Sequence, residues 1–213
     1  MGASRTHAEG PAGRAHWDAA YKRLTASGVS WYQPRATLSV EIVETLGLPL
    51  QTPVIDVGGG ASTFADSLVG MGYSDVTVLD LSTEALNLAK QRLGPEAPVH
   101  WIAADLLDWV PSRTYGLWHD RAVFHFLTDE KEQAAYLEKL RSTISRPGYA
   151  VLATFAPDGP ERCSGLPVAR YGVDDLTELL RSAELEVVGG CGEEHLTPAG
   201  VVQPFTWVIA RAS

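Results

Sequence analysis

Two hydrophobic periods alternate along this chain and predict its secondary structure. Short apolar runs rich in Val, Ile and aromatic residues are typical of strands covered on both faces. Such runs occur at 54–57, 75–80, 99–103, 115–119, 148–155, 186–188 and 205–210. Between them, apolar residues recur every three or four positions and predict helices near 16–24, 35–46, 63–72, 82–93, 129–141 and from 174 onward. This regular alternation predicts an α/β fold with a doubly wound sheet and helices on both faces.

Polar residues at the predicted helix starts support these boundaries. Ser82 and Asp174 are placed to cap the helices that follow them, and Asp129 with Glu132 forms a candidate capping box. Gly47 is placed to end the helix at 35–46.

The first apolar run leads directly into a glycine-rich turn, Asp56-Val57-Gly58-Gly59-Gly60. Glycines permit positive φ angles and let a ligand approach the main chain closely. Asp80 closes the next predicted strand, twenty residues beyond Gly60. A glycine turn between a strand and a helix, followed by an acid at this distance, resembles the nucleotide-binding fingerprint of Rossmann-like folds.

Two residues narrow the ligand class. A dinucleotide fingerprint requires a small last residue for close helix packing, and Thr63 stands there instead. Asp56 precedes the glycines, where a carboxylate would repel a pyrophosphate and attract an ammonium group. A ligand with an adenosine and a cationic amino-acid end satisfies both observations, and that ligand is S-adenosylmethionine.

With these motifs the chain resembles the class I S-adenosylmethionine-dependent methyltransferases. The spacing of Trp17 and Tyr21, Trp31-Tyr32, the glycine motif and residues 120–126 is similar to one branch of that family, which includes small bacterial small-molecule enzymes, lysine methyltransferases and thiopurine-type thiol methyltransferases. The resemblance implies a mostly parallel seven-stranded sheet whose last strand is antiparallel. It covers residues 50–155, the cofactor-binding half of a single domain at 16–213. Residues 1–15 form a predicted disordered leader, 16–48 an N-terminal helical and aromatic lid, and 156–213 the substrate rim and last strands.

The resemblance also implies roles for individual residues. Asp56 would face the methionine ammonium, Asp80 the ribose hydroxyls, and Asp105 the adenine amino group, with Leu106 on the ring. The remaining predicted cofactor-binding residues are Gly58, Gly59, Gly60, Leu81, Asp120, Arg121, Tyr21, Trp31 and Tyr32. Trp17 and Tyr21 would either cover the cofactor or belong to the core of a helix on the sheet.

His119 and His125 are the histidines of the segment that follows the fourth predicted strand. An imidazole titrates near neutral pH, which makes both residues candidate catalytic bases. The alternative is a histidine that is hydrogen-bonded within the fold. Methyl transfer to an ionised or soft nucleophile needs no base, because the sulfonium is a good leaving group and positioning supplies much of the rate.

Composition limits the partners. The chain has 17 basic and 26 acidic residues, a net charge of −9, which argues against nucleic-acid binding. Cys163 and Cys191 are far apart, so neither a metal site nor a disulfide is predicted. With no long apolar run and no signal-peptide core, we expect a cytoplasmic protein without membrane association, either a monomer or a homodimer.

The sequence therefore predicts a methyltransferase that binds S-adenosylmethionine, releases S-adenosylhomocysteine and methylates an oxygen, sulfur or nitrogen atom of a small molecule. A protein-lysine acceptor is the first alternative. An NAD(P)-dependent oxidoreductase is a second, opposed by Asp56 and by the lack of a Tyr-x-x-x-Lys motif. A non-catalytic protein that binds an adenosyl ligand is the third.

Overall fold

The computed structural model describes residues 13–213 and contains one large sheet and one small hairpin. The sheet has seven strands in the order β3-β2-β1-β4-β5-β9-β8. The strands are β1 Val54–Val57, β2 Val76–Asp80, β3 Val99–Ala103, β4 Tyr115–Arg121, β5 Ile144–Phe155, β8 Glu186–Leu196 and β9 Val202–Ala212. The hairpin consists of β6 Arg162–Cys163 and β7 Leu166–Pro167.

Strands β1 to β5 pair in parallel, and β9 runs antiparallel between β5 and β8. The predicted seven-stranded, mostly parallel sheet with an antiparallel last strand is therefore confirmed. Since the carboxyl ends of β1 to β4 lie along one edge, the residues that follow these strands meet there.

Helices cover both faces of the sheet, as predicted. They are α1 Arg14–Gly28, α2 Thr37–Leu46, α3 Phe64–Gly70, α4 Thr83–Leu93, α5 Glu130–Thr143 and α6 Val173–Ser182, with a short 3₁₀ turn at Phe124–Phe126. Alternate strand residues belong to two separate cores. Trp118 of β4 packs in the core that includes α5 and α6, whereas its neighbour Leu117 packs in the core that includes α2, α3 and α4.

The predicted caps at three helix ends are confirmed. The Ser82 hydroxyl accepts a hydrogen bond from the Ala85 amide, and Asp129 accepts from the amides of Lys131 and Glu132. Gly47 takes a left-handed conformation with φ of 59° at the end of α2.

Several boundary predictions are wrong, because α1 runs to Gly28 rather than to residue 24 and β8 runs to Leu196 rather than to residue 188. Two helix starts also differ from the prediction. Helix α6 begins at Val173, so Asp174 lies in its first turn, and Asp175 instead accepts from the Gly172 amide at 2.7 Å. Arg14 and Ala15, predicted to belong to the leader, form the start of α1. The rest of the predicted leader, residues 1–12, lies outside the described residues.

Helix α1 is fixed beside the carboxyl edge by its contacts with the start of α4. The Arg14 guanidinium donates to the Thr83 hydroxyl at 2.7 Å. Asp18 accepts from the Ser82 hydroxyl at 2.6 Å and from the Glu84 amide at 3.2 Å. These bonds hold the aromatic side chains of α1 over the ends of the strands.

Candidate active site

The glycine turn after β1 has no room for a side chain at Gly58 or Gly60. Gly58 and Gly60 have φ angles of 67° and 42°, which favour glycine. A Cβ atom at Gly60 would lie 2.7 Å from Oδ2 of Asp80, and one at Gly58 would overlap the side chain of Val123. Both positions of this turn, which we call the cradle, therefore require glycine.

A cleft of about 480 Å³ opens beside this turn, and we call it the main cleft. Its floor is formed by residues at the ends of four strands: Val57, Gly58, Leu79, Asp80, Leu81, Ala104, Asp105, Leu106, Leu107, Arg121, Ala122 and Val123. Trp17, Tyr21 and Trp31 lie over it, and the remaining lining residues are Phe126, Leu127, Thr128, Glu132, Cys163, Leu166 and Pro167.

Asp80 and Asp105 lie on the main cleft, as the sequence predicted. Oδ1 of Asp80 accepts from the Ser82 amide at 2.7 Å, and its Oδ2 lies beside Gly60. Burial raises the pKa of Asp80 to about 7; the Ser82 amide opposes this, and the nearby carboxylates of Asp56 and Asp18 add to it. Oδ1 of Asp105 accepts from the Leu107 amide at 2.9 Å. The backbone thus orients both carboxylates.

A second, smaller cavity of about 40 Å³ lies on the other side of the glycine turn, and we call it the small cavity. Asp56, Gly59 and His119 line it, together with Tyr32 and Gln33. Asp56 is buried; its Oδ1 is hydrogen-bonded to Nδ1 of His119 at 2.7 Å, and its Oδ2 has no partner among the described residues. Asp56 therefore offers one free oxygen, in the small cavity rather than in the main cleft.

The structure does not place Asp120 on either cavity, in contrast to the sequence prediction. Its carboxylate is buried and accepts from the amides of Val123 and Phe124 at 2.8 and 3.1 Å and from the Tyr136 hydroxyl at 2.7 Å. Burial raises its pKa to about 6, and the hydrogen bond from Tyr136 opposes the rise. Since alternate residues of β4 face opposite sides, Asp120 points toward α5 and holds the turn at Ala122, whose φ is 74°.

Neither candidate catalytic histidine lines the main cleft. The second ring nitrogen of His119, Nε2, is hydrogen-bonded to the Ser39 hydroxyl at 3.0 Å. His125 is fully buried, and its Nδ1 accepts from the Phe155 amide at 3.4 Å. Burial and the nearby Arg121 lower the pKa of His125 to about 3, so its ring is neutral at pH 7. Both ring nitrogens of His119 and Nδ1 of His125 have buried partners, whereas Nε2 of His125 is buried without a hydrogen-bond partner among the described residues. Because neither ring lines the main cleft, a proton-transfer role for either requires a rearrangement of the site.

Arg121 lies between the main cleft and the small cavity and lines both. Its Nη1 donates to the Trp31 carbonyl at 3.2 Å, and its guanidinium lies 4.4 Å from the ring centre of Phe205. Burial lowers the pKa of Arg121, and the nearby Glu193 carboxylate opposes this effect. The predicted position of Arg121 at the ligand edge agrees with this geometry.

The predicted aromatic residues also reach the site. Trp31 donates from Nε1 to the Tyr21 hydroxyl at 3.1 Å, and Tyr32 lines the small cavity. The ring of Trp17 lies edge-on to Trp31 and Phe126, with centroids at 5.7 and 5.0 Å. These rings separate the main cleft from solvent on the side of α1.

Several lining residues were not identified from the sequence. Cys163, Leu166 and Pro167 belong to the β6–β7 hairpin, within a segment that was predicted only as a substrate rim. Burial raises the pKa of the Cys163 thiol to about 12, so it stays protonated at pH 7. Phe126 and Glu132 also line the cleft. Phe126 lies in the segment that follows the fourth predicted strand, and Glu132 lies in the first turn of the next predicted helix. This position in the sequence is the signal that could have identified both residues.

Residues 13–213 contain neither a cluster of metal ligands nor a membrane-spanning helix. No group of three or more His, Cys, Asp or Glu side chains is placed to hold a metal ion. Within the same residues, no helix has both the length and the apolar character needed to cross a bilayer.

Comparisons with known proteins agree with this geometry. Residues 54–148 match a family model described as a methyltransferase domain. Malonyl-[acyl-carrier protein] O-methyltransferase 2 of Ilyobacter polytropus is 20% identical over 142 residues, which are 64% of this chain and 54% of that protein. The chain spans about half of this relative's length and about 36% and 37% of two others.

Solved structures share the fold over nearly the whole chain. One, from work on the conversion of a disulfide bond into a thioacetal group during echinomycin biosynthesis, has a TM-score of 0.74 at 19% identity, over 94% of this chain and 93% of that one. The 1,6-didemethyltoxoflavin-N1-methyltransferase of Burkholderia thailandensis, with bound 1,6-didemethyltoxoflavin and S-adenosylhomocysteine, has a TM-score of 0.68 at 20% identity. This match covers 94% of this chain and 84% of the Burkholderia chain.

The strand order places the glycine turn and the main cleft at the carboxyl edge of a Rossmann-like sheet. The chain shares this fold with solved methyltransferases, and its residues 54–148 match a methyltransferase domain.

Proposed function

We propose that this chain binds S-adenosylmethionine across the main cleft and the small cavity and transfers its methyl group to an oxygen, sulfur or nitrogen atom of a small molecule. The observation that carries the proposal is the pair of oriented carboxylates, Asp80 and Asp105, on one cleft beside the Gly58 cradle. Carboxylates at these two strand ends accept hydrogen bonds from a ribose and an adenine amino group, respectively.

The residues present suit this cofactor at both ends. Asp80 lines the main cleft, where a ribose can reach its carboxylate, and its Oδ2 lies so close to Gly60 that a side chain there would clash with it. Asp56 has a buried, unpartnered oxygen on the small cavity, and a buried acceptor without a donor is costly. An ammonium group in the small cavity would supply that donor. The methionine end of the cofactor therefore belongs at the glycine turn, and its adenosine end at Asp80 and Asp105.

When bound, the sulfonium supplies an electrophilic methyl group and leaves as a neutral thioether. The chain positions both reactants and keeps water away, which supplies much of the rate of an in-line displacement. Trp17, Trp31 and Phe126 form an aromatic wall beside the cradle, and aromatic faces attract cations. The proposal assigns no proton transfer to His119 or His125, since both rings have buried partners.

A small-molecule acceptor is supported by the enclosed, mostly apolar wall opposite the strand ends. That wall includes Leu127 and the hairpin residues Leu166 and Pro167. The Burkholderia structural neighbour holds a small molecule by its name, whereas the Ilyobacter relative is named for an acyl-carrier substrate.

Calorimetry and thermal unfolding with four ligands test the cofactor. S-adenosylmethionine and S-adenosylhomocysteine should bind, and NAD and NADP should not. A ligand at 100 times its dissociation constant adds about 2.7 kcal/mol to the free energy of unfolding. Binding of NAD would favour the oxidoreductase alternative, and binding of none would overturn the proposal.

Transfer of a labelled methyl group then tests the activity. Thiols and phenols are the first acceptors to screen, followed by amines and protein lysines. Label in a small molecule supports the proposal, and label only in protein would favour the lysine alternative. Tight cofactor binding with no transfer to any of these acceptors would favour a non-catalytic binding protein.

A further inference from the structure

An irregular segment, residues 30–33, lies between α1 and α2 and borders both cavities. We call it the aromatic segment; it comprises Ser30, Trp31, Tyr32 and Gln33. Trp31 lines both cavities, and Tyr32 and Gln33 line the small one. The segment has no regular secondary structure of its own, so its position depends on bonds to other elements.

Two of those bonds come from β8, a strand at the edge of the sheet. Nε2 of Gln33 donates to Oε1 of Glu193 at 2.7 Å. Nε2 of His195 lies 2.7 Å from the Ser30 carbonyl. Neither Glu193 nor His195 lines a cavity, so both act on the site through the residues they hold.

Glu193 also contacts Trp207 and Arg121. Its Oε2 accepts from Nε1 of Trp207 at 2.9 Å and forms an ion pair with Nε of Arg121 at 3.6 Å. Arg121 in turn donates to the Trp31 carbonyl, so Glu193 reaches the aromatic segment by two routes. The side chains of Glu193 and Arg121 are only 14% and 10% exposed, which places this ion pair in a largely water-free environment.

We propose that Glu193 is a positioning residue that fixes the aromatic segment and Arg121 around the amino-acid end of the cofactor. This inference rests on the proposed function, because it assigns the small cavity to that end. The residues Glu193 holds, Gln33 and Arg121, line the small cavity with Asp56 and Gly59. Asp80 and Asp105, the residues proposed to bind the ribose and the adenine, lie on the main cleft and have no hydrogen bond to Glu193.

The charge of Glu193 is required as well as its shape. A carboxylate offers two acceptor oxygens, and here they serve an amide, an indole and a guanidinium. Two nitrogens of Arg121, Nε and Nη2, are buried without a hydrogen-bond partner among the described residues. Among residues 13–213, Glu193 is the ion-pair partner of Arg121. Its removal would leave a buried, uncompensated cation, which favours movement of Arg121 toward water.

The test compares two ligands that differ only at one end. S-adenosylhomocysteine carries the amino-acid end, and 5′-methylthioadenosine lacks it. Their dissociation constants are measured by calorimetry for the wild-type chain, Glu193→Ala, Glu193→Gln and the control Glu194→Ala. Glu194 is the next residue of β8 and is exposed, so its removal leaves the site intact.

We expect Glu193→Ala to weaken S-adenosylhomocysteine about tenfold or more, the scale of a lost hydrogen bond to a charged group. Affinity for 5′-methylthioadenosine should change less than about twofold, a difference that general loosening of the fold would not produce. Glu193→Gln should show a smaller loss of the same kind, and it keeps the test decisive if the alanine variant does not fold. Glu194→Ala should match the wild type.

Equal weakening of both ligands, or unchanged affinity for S-adenosylhomocysteine, would overturn the positioning role while leaving the proposed function intact. Failure of the wild-type chain to bind S-adenosylhomocysteine would overturn the proposed function and this inference with it.

Discussion

Asp56 and His119 form a buried pair in which Oδ1 and Nδ1 are 2.7 Å apart, although 63 residues separate them in sequence. Each residue is only 3% exposed at its side chain. The pair joins the middle of β1 to the middle of β4, whose residues 56 and 119 are directly paired in the sheet. The contact explains how a carboxylate can lie within a buried strand, because Asp56 has a hydrogen-bond partner on the neighbouring strand even without a ligand.

This pair predicts that His119 is needed for stability. His119→Phe keeps an aromatic ring against Phe64 but leaves the Asp56 carboxylate without its partner. Loss of one partner of a buried pair costs about 3–5 kcal/mol, and chemical denaturation should show a decrease of that order in the free energy of unfolding. Adding Asp56→Asn should restore part of the loss, because it removes the unpaired charge. A variant of normal stability that has lost only methyl transfer would instead support a catalytic His119.

His125 predicts a dependence of stability on pH. Its folded-state pKa is about 3, below its ordinary value of 6.5, because burial disfavours the charged ring. Below pH 6.5 the unfolded chain takes up a proton that the folded chain does not, so the free energy of unfolding falls as the pH falls toward 3. His125→Phe removes this contribution.

The measurement is chemical denaturation of both proteins at pH 7.5 and pH 5. The wild type should lose about 2 kcal/mol more than His125→Phe over this interval, since each pH unit below 6.5 contributes about 1.36 kcal/mol. Parallel behaviour of the two proteins would show that His125 is accessible to protons in the folded chain.

Asp105 predicts selectivity for the base. If its free oxygen accepts from an adenine amino group, S-inosylhomocysteine, which carries a carbonyl there, should bind about tenfold or more weakly than S-adenosylhomocysteine. Asp105→Asn can donate to that carbonyl and should narrow the difference. Calorimetry with both ligands measures it, and the exposed neighbour Asp108→Asn serves as the control. An unchanged preference in Asp105→Asn would place the adenine elsewhere.

The sequence predicted the parts of this site that are encoded locally. The glycine turn and the acids Asp80 and Asp105 follow apolar runs that each form one strand, so their position at the sheet edge follows from the alternation of elements. Asp120 follows the same rule of position, yet its side chain faces away, because the pleat at the end of β4 decides the direction. One position along β4 therefore separates Arg121, which lines both cavities, from Asp120, whose buried carboxylate holds the following turn.

The parts that the sequence did not reveal depend on contacts between distant segments. Gln33 and Glu193 are 160 residues apart, and nothing near Glu193 in the sequence marks it as a partner of the aromatic segment. The β6–β7 hairpin has two residues in each strand, too short for a hydrophobic period to detect. Its placement beside the cleft follows from tertiary packing of Cys163 and Leu166.

Asp80 gives a pH dependence to cofactor binding. Burial raises the pKa of its carboxyl to about 7, so at pH 6 the ligand-free chain is mostly protonated at this position. In the proposed complex two ribose hydroxyls donate to Asp80 and favour its ionised form, so we expect binding below pH 7 to release a proton. The dissociation constant for S-adenosylhomocysteine should rise by up to about tenfold for each pH unit below 7 and become constant above pH 8.

Calorimetry at pH 6, 7 and 8 in buffers of different ionisation enthalpy measures both the affinity and the proton released. Asp80→Asn cannot ionise, so its affinity should be lower than that of the wild type at pH 8 and should lack the wild-type slope below pH 7. A slope that persists in Asp80→Asn would assign the titration to another group, such as Asp120, whose pKa burial raises to about 6. A wild-type affinity that is constant from pH 6 to 8 would mean that Asp80 is already ionised in the ligand-free chain, which would remove the proton release but not the ribose contact.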